Sequence, residues 1–136
     1  MSEQDKANGL KVRTEVMGAE FVERAMNNRT PLTEPLQEWI NEHAWGSTWQ
    51  RDDLPRATRS LVTIAMLVAL KAPNELKGHI RGALNNGCTP EEIRAVLLHS
   101  LPYVGAPAAQ EAFRAAAEVL DMSSQTPDAR RLTPDA

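Results

Sequence analysis

Apolar and polar residues along this chain recur with the period of α-helices, and no segment alternates between the two as a half-buried strand would. Residues that start or end helices stand between the apolar stretches. The pattern predicts helices over about residues 12–26, 33–44, 55–71, 73–86, 89–101 and 107–120. We therefore predict an all-α fold of about six helices, with residues 1–122 as one domain and residues 123–136 as a disordered tail.

Local signals place several of the helix ends. Thr89-Pro90-Glu91-Glu92 has the form of a capping box, with Pro at the first helical position. Gly87 is expected just past the end of the preceding helix, where glycine favours the left-handed conformation. Gly46 is expected to end the second helix near Ala44, and Trp39 is expected in the core because it fits the apolar face of that helix.

The segment Leu61–Leu70 is apolar on all sides of a helix. Such a helix must be covered all round, by its own domain or by another subunit. It is too short to cross a bilayer, so it does not predict a membrane protein. In so short a chain it predicts a homo-oligomer.

Composition narrows the functional classes. The chain has 136 residues, with 15 basic and 18 acidic residues and a net charge of −3, which argues against a nucleic-acid-binding protein. A single cysteine, Cys88, excludes an internal disulfide framework and a zinc-ribbon pattern. It fits a reduced, cytoplasmic setting. The first residues, Met1 to Lys11, are polar and contain no apolar signal core.

The strongest candidate chemistry is the pair Glu75 and His79, four residues apart on a predicted helix. That spacing puts a carboxylate and an imidazole on one face, where they can share a proton near neutral pH. Gly78 and Gly82 lie beside them and predict a close approach by another helix or by a ligand. The alternative is a half-buried pair with a purely structural role at a helix contact. No pattern of metal ligands supports a metal site.

Cations and aromatic residues before the apolar helix form a second group of candidates. Arg51, Arg56 and Arg59 flank the start of that helix, where cations oppose the helix dipole. Arg59 borders the apolar run and is therefore expected to face a carboxylate or an anionic ligand. Trp45 and Trp49 lie outside the predicted helices, so they are candidates for a pocket wall.

A set of residues from about Gly9 to Leu120 forms one wider pattern. Its members are Trp45-Gly46, Trp49, Arg51, Leu54, Arg59-Ser60-Leu61, Glu75-Leu76, His79, Gly87, Glu91-Glu92-Ile93, Tyr103, Gly105, Pro107-Ala108-Ala109 and Ala112-Phe113. Together they resemble the carboxymuconolactone decarboxylase family, in the alkylhydroperoxidase D-like superfamily. The resemblance implies an all-α, cofactor-free homo-oligomer, a trimer or hexamer. It also implies the loss of CO2 from a carboxylated muconolactone, giving 3-oxoadipate enol-lactone in protocatechuate degradation.

The peroxidase branch of that superfamily is a weaker match. Its members carry Cys-x-x-Cys followed three residues later by His, and here the two cysteine positions fall on Ala72 and Glu75. Its proton-relay glutamate falls on Ser60. Two departures from the decarboxylases leave the substrate open: Asp52-Asp53 replaces Pro-Gly, and Tyr103 to Pro107 reads Tyr-Val-Gly-Ala-Pro instead of Tyr-Cys-Gly-Val-Pro.

The resemblance and the residue chemistry together give a set of expected roles. We expect a catalytic group and a group that binds a small anionic lactone, with no metal and no cofactor: catalytic His79, Glu75 and Arg59, and substrate-binding Arg51, Arg56, Trp45, Trp49 and Tyr103. A hydrogen bond from Glu75 is expected to keep His79 partly protonated as a general acid. A thiol peroxidase or disulfide reductase, and a non-catalytic oligomeric binding protein, are the alternatives.

Overall fold

A computed structural model describes residues 3–120, and in that range the chain folds into seven α-helices and one π-helical segment, without a strand. In chain order these are α1 (Glu3–Met17), α2 (Ala19–Asn27), α3 (Glu34–Trp39), the π segment (Ile40–Thr48), α4 (Arg56–Leu70), α5 (Pro73–Asn85), α6 (Pro90–Val104) and α7 (Ala106–Val119). The all-α fold is confirmed, with seven α-helices rather than about six. The predicted tail at 123–136 lies outside the described residues.

The predicted first helix is in fact two helices. Gly18 has a φ of 97° between α1 and α2, a conformation that only glycine adopts without strain. The chain therefore turns there instead of continuing to Met26 as one helix. Helix α1 also starts at Glu3, earlier than its apolar pattern indicated.

The π segment replaces the predicted helix end at Gly46. A Cβ atom at Gly46 would lie 2.6 Å from the carbonyl oxygen of Asp5, so the missing side chain lets the segment pack closely against α1. Gly46 is thus a packing residue, and the helical path continues to Thr48. Trp39 is 58% exposed and lies against the ring of His43, so its predicted core position is wrong.

Other helix ends follow the sequence signals. The Thr89 hydroxyl accepts a hydrogen bond from the Glu92 backbone N–H at 3.0 Å, and the Glu92 carboxylate accepts one from the Thr89 N–H at 2.9 Å. This is the predicted capping box. Gly87 has a φ of 95° just after α5, as expected for a residue that ends a helix.

Two hydrophobic clusters form the interior. The aliphatic cluster lies among α4 to α7 and contains the buried residues Ile64, Val68, Leu76, Ile80, Ala83, Cys88, Ile93, Leu97, Ala112, Ala115, Ala116 and Leu120. The tryptophan cluster lies among α1, α2, the π segment and the residue that follows it, and contains Val12, Val16, Met17, Val22, Trp45 and Trp49.

Helix α5 contacts both clusters. Leu76, Ile80 and Ala83 enter the aliphatic cluster. Gly78 and Gly82 face α1, where added Cβ atoms would lie 3.1 Å from side-chain atoms of Met17 and Val16, respectively. The close approach predicted at these two glycines is therefore made by another helix, α1.

Helix α4 is covered on one side only within a single chain. Ile64 and Val68 are buried, whereas Val62, Met66 and Leu70 are 41%, 58% and 72% exposed. The sequence predicted that this helix would be buried on every side. The described part of one chain does not supply that cover. None of the described helices is long and apolar enough to cross a membrane.

Candidate active site

His79 packs against the two tryptophans that the sequence proposed as a pocket wall. Its ring is nearly parallel to that of Trp45, at an interplanar angle of 2° and a centroid distance of 5.9 Å. The centroid of Trp49 lies 6.3 Å from His79, and the two indoles stack on each other at 4.8 Å. These distances are typical of offset stacking. The structure therefore brings together three of the predicted site residues, from α5 and from the end of the π segment.

The fold explains why these rings meet. The close contact of Gly78 and Gly82 with α1 brings α5 against the tryptophan cluster. Trp45 and Trp49 are only 5% and 7% exposed, because they also pack in that cluster. Two buried indoles thus pack against the imidazole, while α5 positions its backbone.

The environment of His79 keeps its ring neutral. Burial is the main cause that lowers the pKa of His79, from 6.5 to about 4. The charge of Arg13 lowers this pKa further, and the carboxylate of Glu75 opposes both effects. The Nδ1 atom of His79 is buried and has no hydrogen-bond partner among the described residues.

Glu75 does not make the hydrogen bond to His79 that its spacing suggested. Its side chain is exposed, and within residues 3–120 it makes no hydrogen bond to His79. The expectation that Glu75 keeps His79 partly protonated is therefore not met in this structure. Desolvation lowers the pKa of His79 by more than the Glu75 carboxylate, which is not hydrogen-bonded to the ring, raises it.

Arg51 and Arg59 share one carboxylate, that of Asp53. Arg59 Nη2 lies 2.9 Å from Asp53 Oδ1 and 3.2 Å from the backbone oxygen of Arg51. Arg51 binds Asp53 through both Nε and Nη2. The carboxylate predicted to face Arg59 is therefore Asp53, at a position where the sequence departs from the family pattern. The Arg51 guanidinium lowers the pKa of Asp53, so its carboxylate stays ionised.

Arg56 and Tyr103 lie apart from these two groups in the single chain. Arg56 forms a salt bridge of 3.0 Å with Glu15 of α1. Tyr103 is 77% exposed on α6, where its ring lies 5.4 Å from that of His99. Of the predicted substrate-binding residues, the fold groups the two tryptophans with His79 and pairs Arg51 with Arg59.

Arg13 is a polar residue of this region that the sequence analysis missed. Its side chain on α1 is only 7% exposed, and Nη1 donates to Gln37 Oε1 and to Asn41 Oδ1, both at 2.9 Å. Burial lowers its pKa. A signal was present in the sequence, because Arg13 falls within the buried face of α1 between Val12 and Val16. A charged side chain is rarely buried unless it is paired.

The sequence comparisons identify the family. The profile of the Carboxymuconolactone decarboxylase family matches residues 34–118, which include the π segment and His79. The chain belongs to this family.

Two relatives show what kind of enzyme the family includes. The chain is 51% identical over 104 residues to the nitrosuccinic acid decarboxylase of Metarhizium robertsii, covering 76% of this chain and 73% of the relative. It is 45% identical over 117 residues to the 4-carboxymuconolactone decarboxylase of Acinetobacter baylyi, covering 86% and 87%. Both are decarboxylases by name, and this member of the family is a carboxy-lyase.

Neither a metal cluster nor a reactive thiol accompanies the site of this family member. Residues 3–120 contain no group of three or more His, Cys, Asp or Glu side chains that could hold a metal ion. Cys88 lies in the aliphatic cluster, where its Sγ donates to the Ala57 carbonyl oxygen at 3.4 Å. Burial raises the pKa of its thiol, which disfavours the thiolate.

Proposed function

We propose that this carboxy-lyase converts 4-carboxymuconolactone to 3-oxoadipate enol-lactone and CO2, in the degradation of protocatechuate in the cytoplasm. The observation that carries the proposal is the stack of His79 on Trp45 and Trp49, which fixes a titratable ring beside a desolvated wall. The long match to a 4-carboxymuconolactone decarboxylase supports the choice of substrate.

The chemistry follows from the substrate. Loss of CO2 leaves an electron pair that is conjugated through the ring double bond to the lactone carbonyl, so negative charge develops on that oxygen. Hydrogen-bond donors aimed at this position stabilise the transition state. A proton must then reach the ring carbon. The substrate carries its own electron sink, so the proposed route needs no cofactor.

His79 is the group proposed to move that proton. The ring is neutral in this structure, where burial lowers its pKa to about 4. An anionic substrate beside it favours the charged form and raises that pKa, because opposite charges stabilise each other in a desolvated site. His79 then takes a proton from solvent when substrate binds and delivers it to carbon after CO2 has left. Glu75 supports the charged form from the exposed side.

Arg59 and Arg51 are proposed to attract a carboxylate of the substrate. Asp53 pairs with both arginines in this structure, so a substrate carboxylate would compete with Asp53 there. Trp45 and Trp49 are proposed to exclude water from the departing carboxylate, which favours the loss of charge as CO2 forms. Arg56 and Tyr103 have a proposed role in binding only if another subunit brings them to the site.

Nitrosuccinic acid is a second candidate substrate, favoured by the 51% identity to an enzyme named for it. It too is a dicarboxylic acid with an electron-withdrawing group next to a carboxylate. The same chemistry therefore serves both molecules: one carboxylate leaves as CO2, the electron pair is delocalised, and a proton is added to carbon.

The decisive experiment offers each acid to the purified protein and measures CO2 release, with His79→Ala as the comparison variant. We expect CO2 from one acid or both and a large loss in the variant. Release of CO2 from neither acid would favour the non-catalytic alternative. A thiol peroxidase is disfavoured because a redox cycle lacks a second thiol in this sequence.

We also propose that the chain forms a homo-oligomer, a trimer or hexamer, through the open side of α4 and α6. This surface has an apolar groove of about 460 Å³, lined by Leu61, Val62, Ala65, Ala95, Val96, His99 and Ser100. Met66 and Leu70 extend it on α4. Burial of such a patch is typical of subunit interfaces.

Sedimentation velocity tests this assembly. Met66→Glu places a charge on the patch and should shift the oligomer to smaller species. Leu32→Glu is the matched control, because Leu32 is 86% exposed and lies outside the patch. A wild-type monomer at micromolar concentration would contradict the proposal.

A further inference from the structure

Arg13 is a buried cation whose hydrogen-bond partners are neutral. The two atoms that accept from it are amide oxygens, of Gln37 and Asn41. No carboxylate of the described residues lies within salt-bridge distance of it. A charge removed from water is costly unless an opposite charge compensates it. The fold therefore contains a cation that lacks an anion.

One edge of this guanidinium is free. Both hydrogen bonds use Nη1, whereas Nε and Nη2 donate to none of the residues in the described range. Neither atom is fully buried. In residues 3–120 the fully buried polar side-chain atoms without a partner are Arg59 Nε and His79 Nδ1, and the two Arg13 atoms are not among them. The edge formed by Nε and Nη2 can bind both oxygens of a carboxylate at once.

The π segment links Arg13 to His79. Asn41 accepts from Arg13, and Trp45, four residues later on the same segment, stacks on His79. The charge of Arg13 acts on the imidazole, as the lowered pKa of His79 shows. Helix α1 itself contacts α5 at Gly78 and Gly82, on either side of His79. The guanidinium of Arg13 and the His79 ring therefore lie along the same contact, formed by α1, the π segment and α5.

We infer that Arg13 binds the carboxylate that a dicarboxylic substrate keeps after decarboxylation. This inference rests on the proposed function and adds a binding residue from α1, which lies outside the 34–118 match to the family profile. Gln37 and Asn41 position the guanidinium, and its free edge receives the anion. The arginine pair at Asp53 is then an outer attraction site, whose two positive charges are partly balanced by one carboxylate.

The chemistry explains why the retained carboxylate is the ligand. An arginine bound to the departing carboxylate would stabilise the charged ground state and would oppose its conversion to neutral CO2. An arginine bound to the other carboxylate orients the substrate without that penalty. Both candidate substrates keep one carboxylate after losing CO2, so one cation can serve either.

The test uses the whole chain and a simple probe. Succinate is the probe, and succinamide is its uncharged analogue. Titration calorimetry compares the wild type with two variants. Arg13→Met removes the charge, and Arg13→Lys keeps the charge but loses the paired donors that bind both oxygens of a carboxylate. Lys11→Met is the matched control, because it removes a cation from an exposed position of the same helix.

We expect the wild type to bind succinate and not succinamide. Arg13→Met should weaken succinate binding at least tenfold, Arg13→Lys should weaken it less, and Lys11→Met should change it less than twofold. In turnover assays Arg13→Met should raise KM far more than it lowers kcat. Unchanged succinate binding by Arg13→Met, or no binding by the wild type, would overturn the inference. If Arg13→Met does not fold, wild-type affinity in Arg13→Lys would overturn it instead.

A second readout does not depend on turnover. The pKa of His79, followed by NMR, should rise in Arg13→Met, because the cation that lowers it has been removed. A chain that binds succinate through Arg13 but releases CO2 from neither acid would refute the proposed function and leave the anion site standing. Release of CO2 with an unchanged KM in Arg13→Met would refute the anion site and leave the proposed function intact.

Discussion

The two hydrophobic clusters differ in what they contain besides apolar groups. The aliphatic cluster is closed by Val, Leu, Ile and Ala side chains, and its one sulfur atom, in Cys88, is hydrogen-bonded and buried. The tryptophan cluster has two indoles against His79, and α1, one of its helices, buries Arg13. The thiol of the first cluster has a partner, whereas the second region holds a charge without an anion and an imidazole nitrogen without a partner. Arg59 Nε, at the start of α4, is the other fully buried side-chain atom without a partner in residues 3–120.

This difference separates stability from function. A satisfied apolar core lowers the free energy of the fold and calls for no ligand. Buried polar groups that lack partners destabilise the empty protein, and they are retained where a ligand completes them. We therefore locate the chemistry of this carboxy-lyase in the tryptophan region. Four predictions test that assignment, beginning with the largest effect.

His79→Ala should remove most of the decarboxylase activity. If His79 delivers the proton, its loss should lower kcat about 10²- to 10⁴-fold. Turnover of 4-carboxymuconolactone and nitrosuccinic acid measures the effect, with circular dichroism and sedimentation as controls for folding and assembly. Glu75→Gln should cost much less, because Glu75 makes no hydrogen bond to the ring. Wild-type rates in His79→Ala would make the histidine a structural residue.

The free energy of unfolding should decrease as the pH is lowered through the range in which His79 titrates. Its pKa is about 4 in the folded chain and about 6.5 when unfolded, so the unfolded state binds more protons between these values. The free energy of unfolding should therefore decrease as pH falls from 6.5 to 4, by up to roughly 3 kcal/mol from this group.

Urea unfolding at several pH values measures this slope, and His79→Ala should flatten it. An equal slope in both proteins would show that other groups cause the pH dependence and that His79 is not desolvated as described.

Asp53→Asn should strengthen binding of a dicarboxylate at the outer arginines. The change frees Arg51 and Arg59 from their internal carboxylate, so KM should fall about two- to fivefold, a small effect because the side chains of Arg51 and Asp53 are 61% and 54% exposed. Asp52→Asn is the matched control, since Asp52 makes neither of these bonds. An increase in KM on Asp53→Asn would mean that Asp53 positions the arginines for substrate instead of competing with it.

Cys88→Ser should change turnover least. Cys88 belongs to the aliphatic cluster, and its thiol is protonated because burial raises its pKa. We expect kcat and KM to stay within about twofold of the wild type, measured on the same acids, since the proposed reaction uses no thiol. Loss of activity in a normally folded variant would return attention to the aliphatic cluster and to the peroxidase alternative.

How much of the site could be predicted depended on the range of each signal. Spacing on one helix proposed His79, and Trp45 and Trp49 were proposed because they stood outside the predicted helices; the structure brings these three rings together. The expected hydrogen bond from Glu75 to His79 is absent, since spacing on a helix does not determine the exposure of a side chain. Arg13 was missed because the burial of a charge depends on helices that are distant in sequence.

The sequence by itself determined the all-α class, the end of α5, the start of α6 and the family pattern, because helix periodicity, caps and glycine conformations act over a few neighbouring residues. The tertiary structure alone decided that His79 is neutral, that the Asp53 carboxylate pairs with two arginines and that Arg13 is buried beside two side-chain amides. Desolvation and charge pairing depend on which surfaces meet, and no local pattern encodes that meeting.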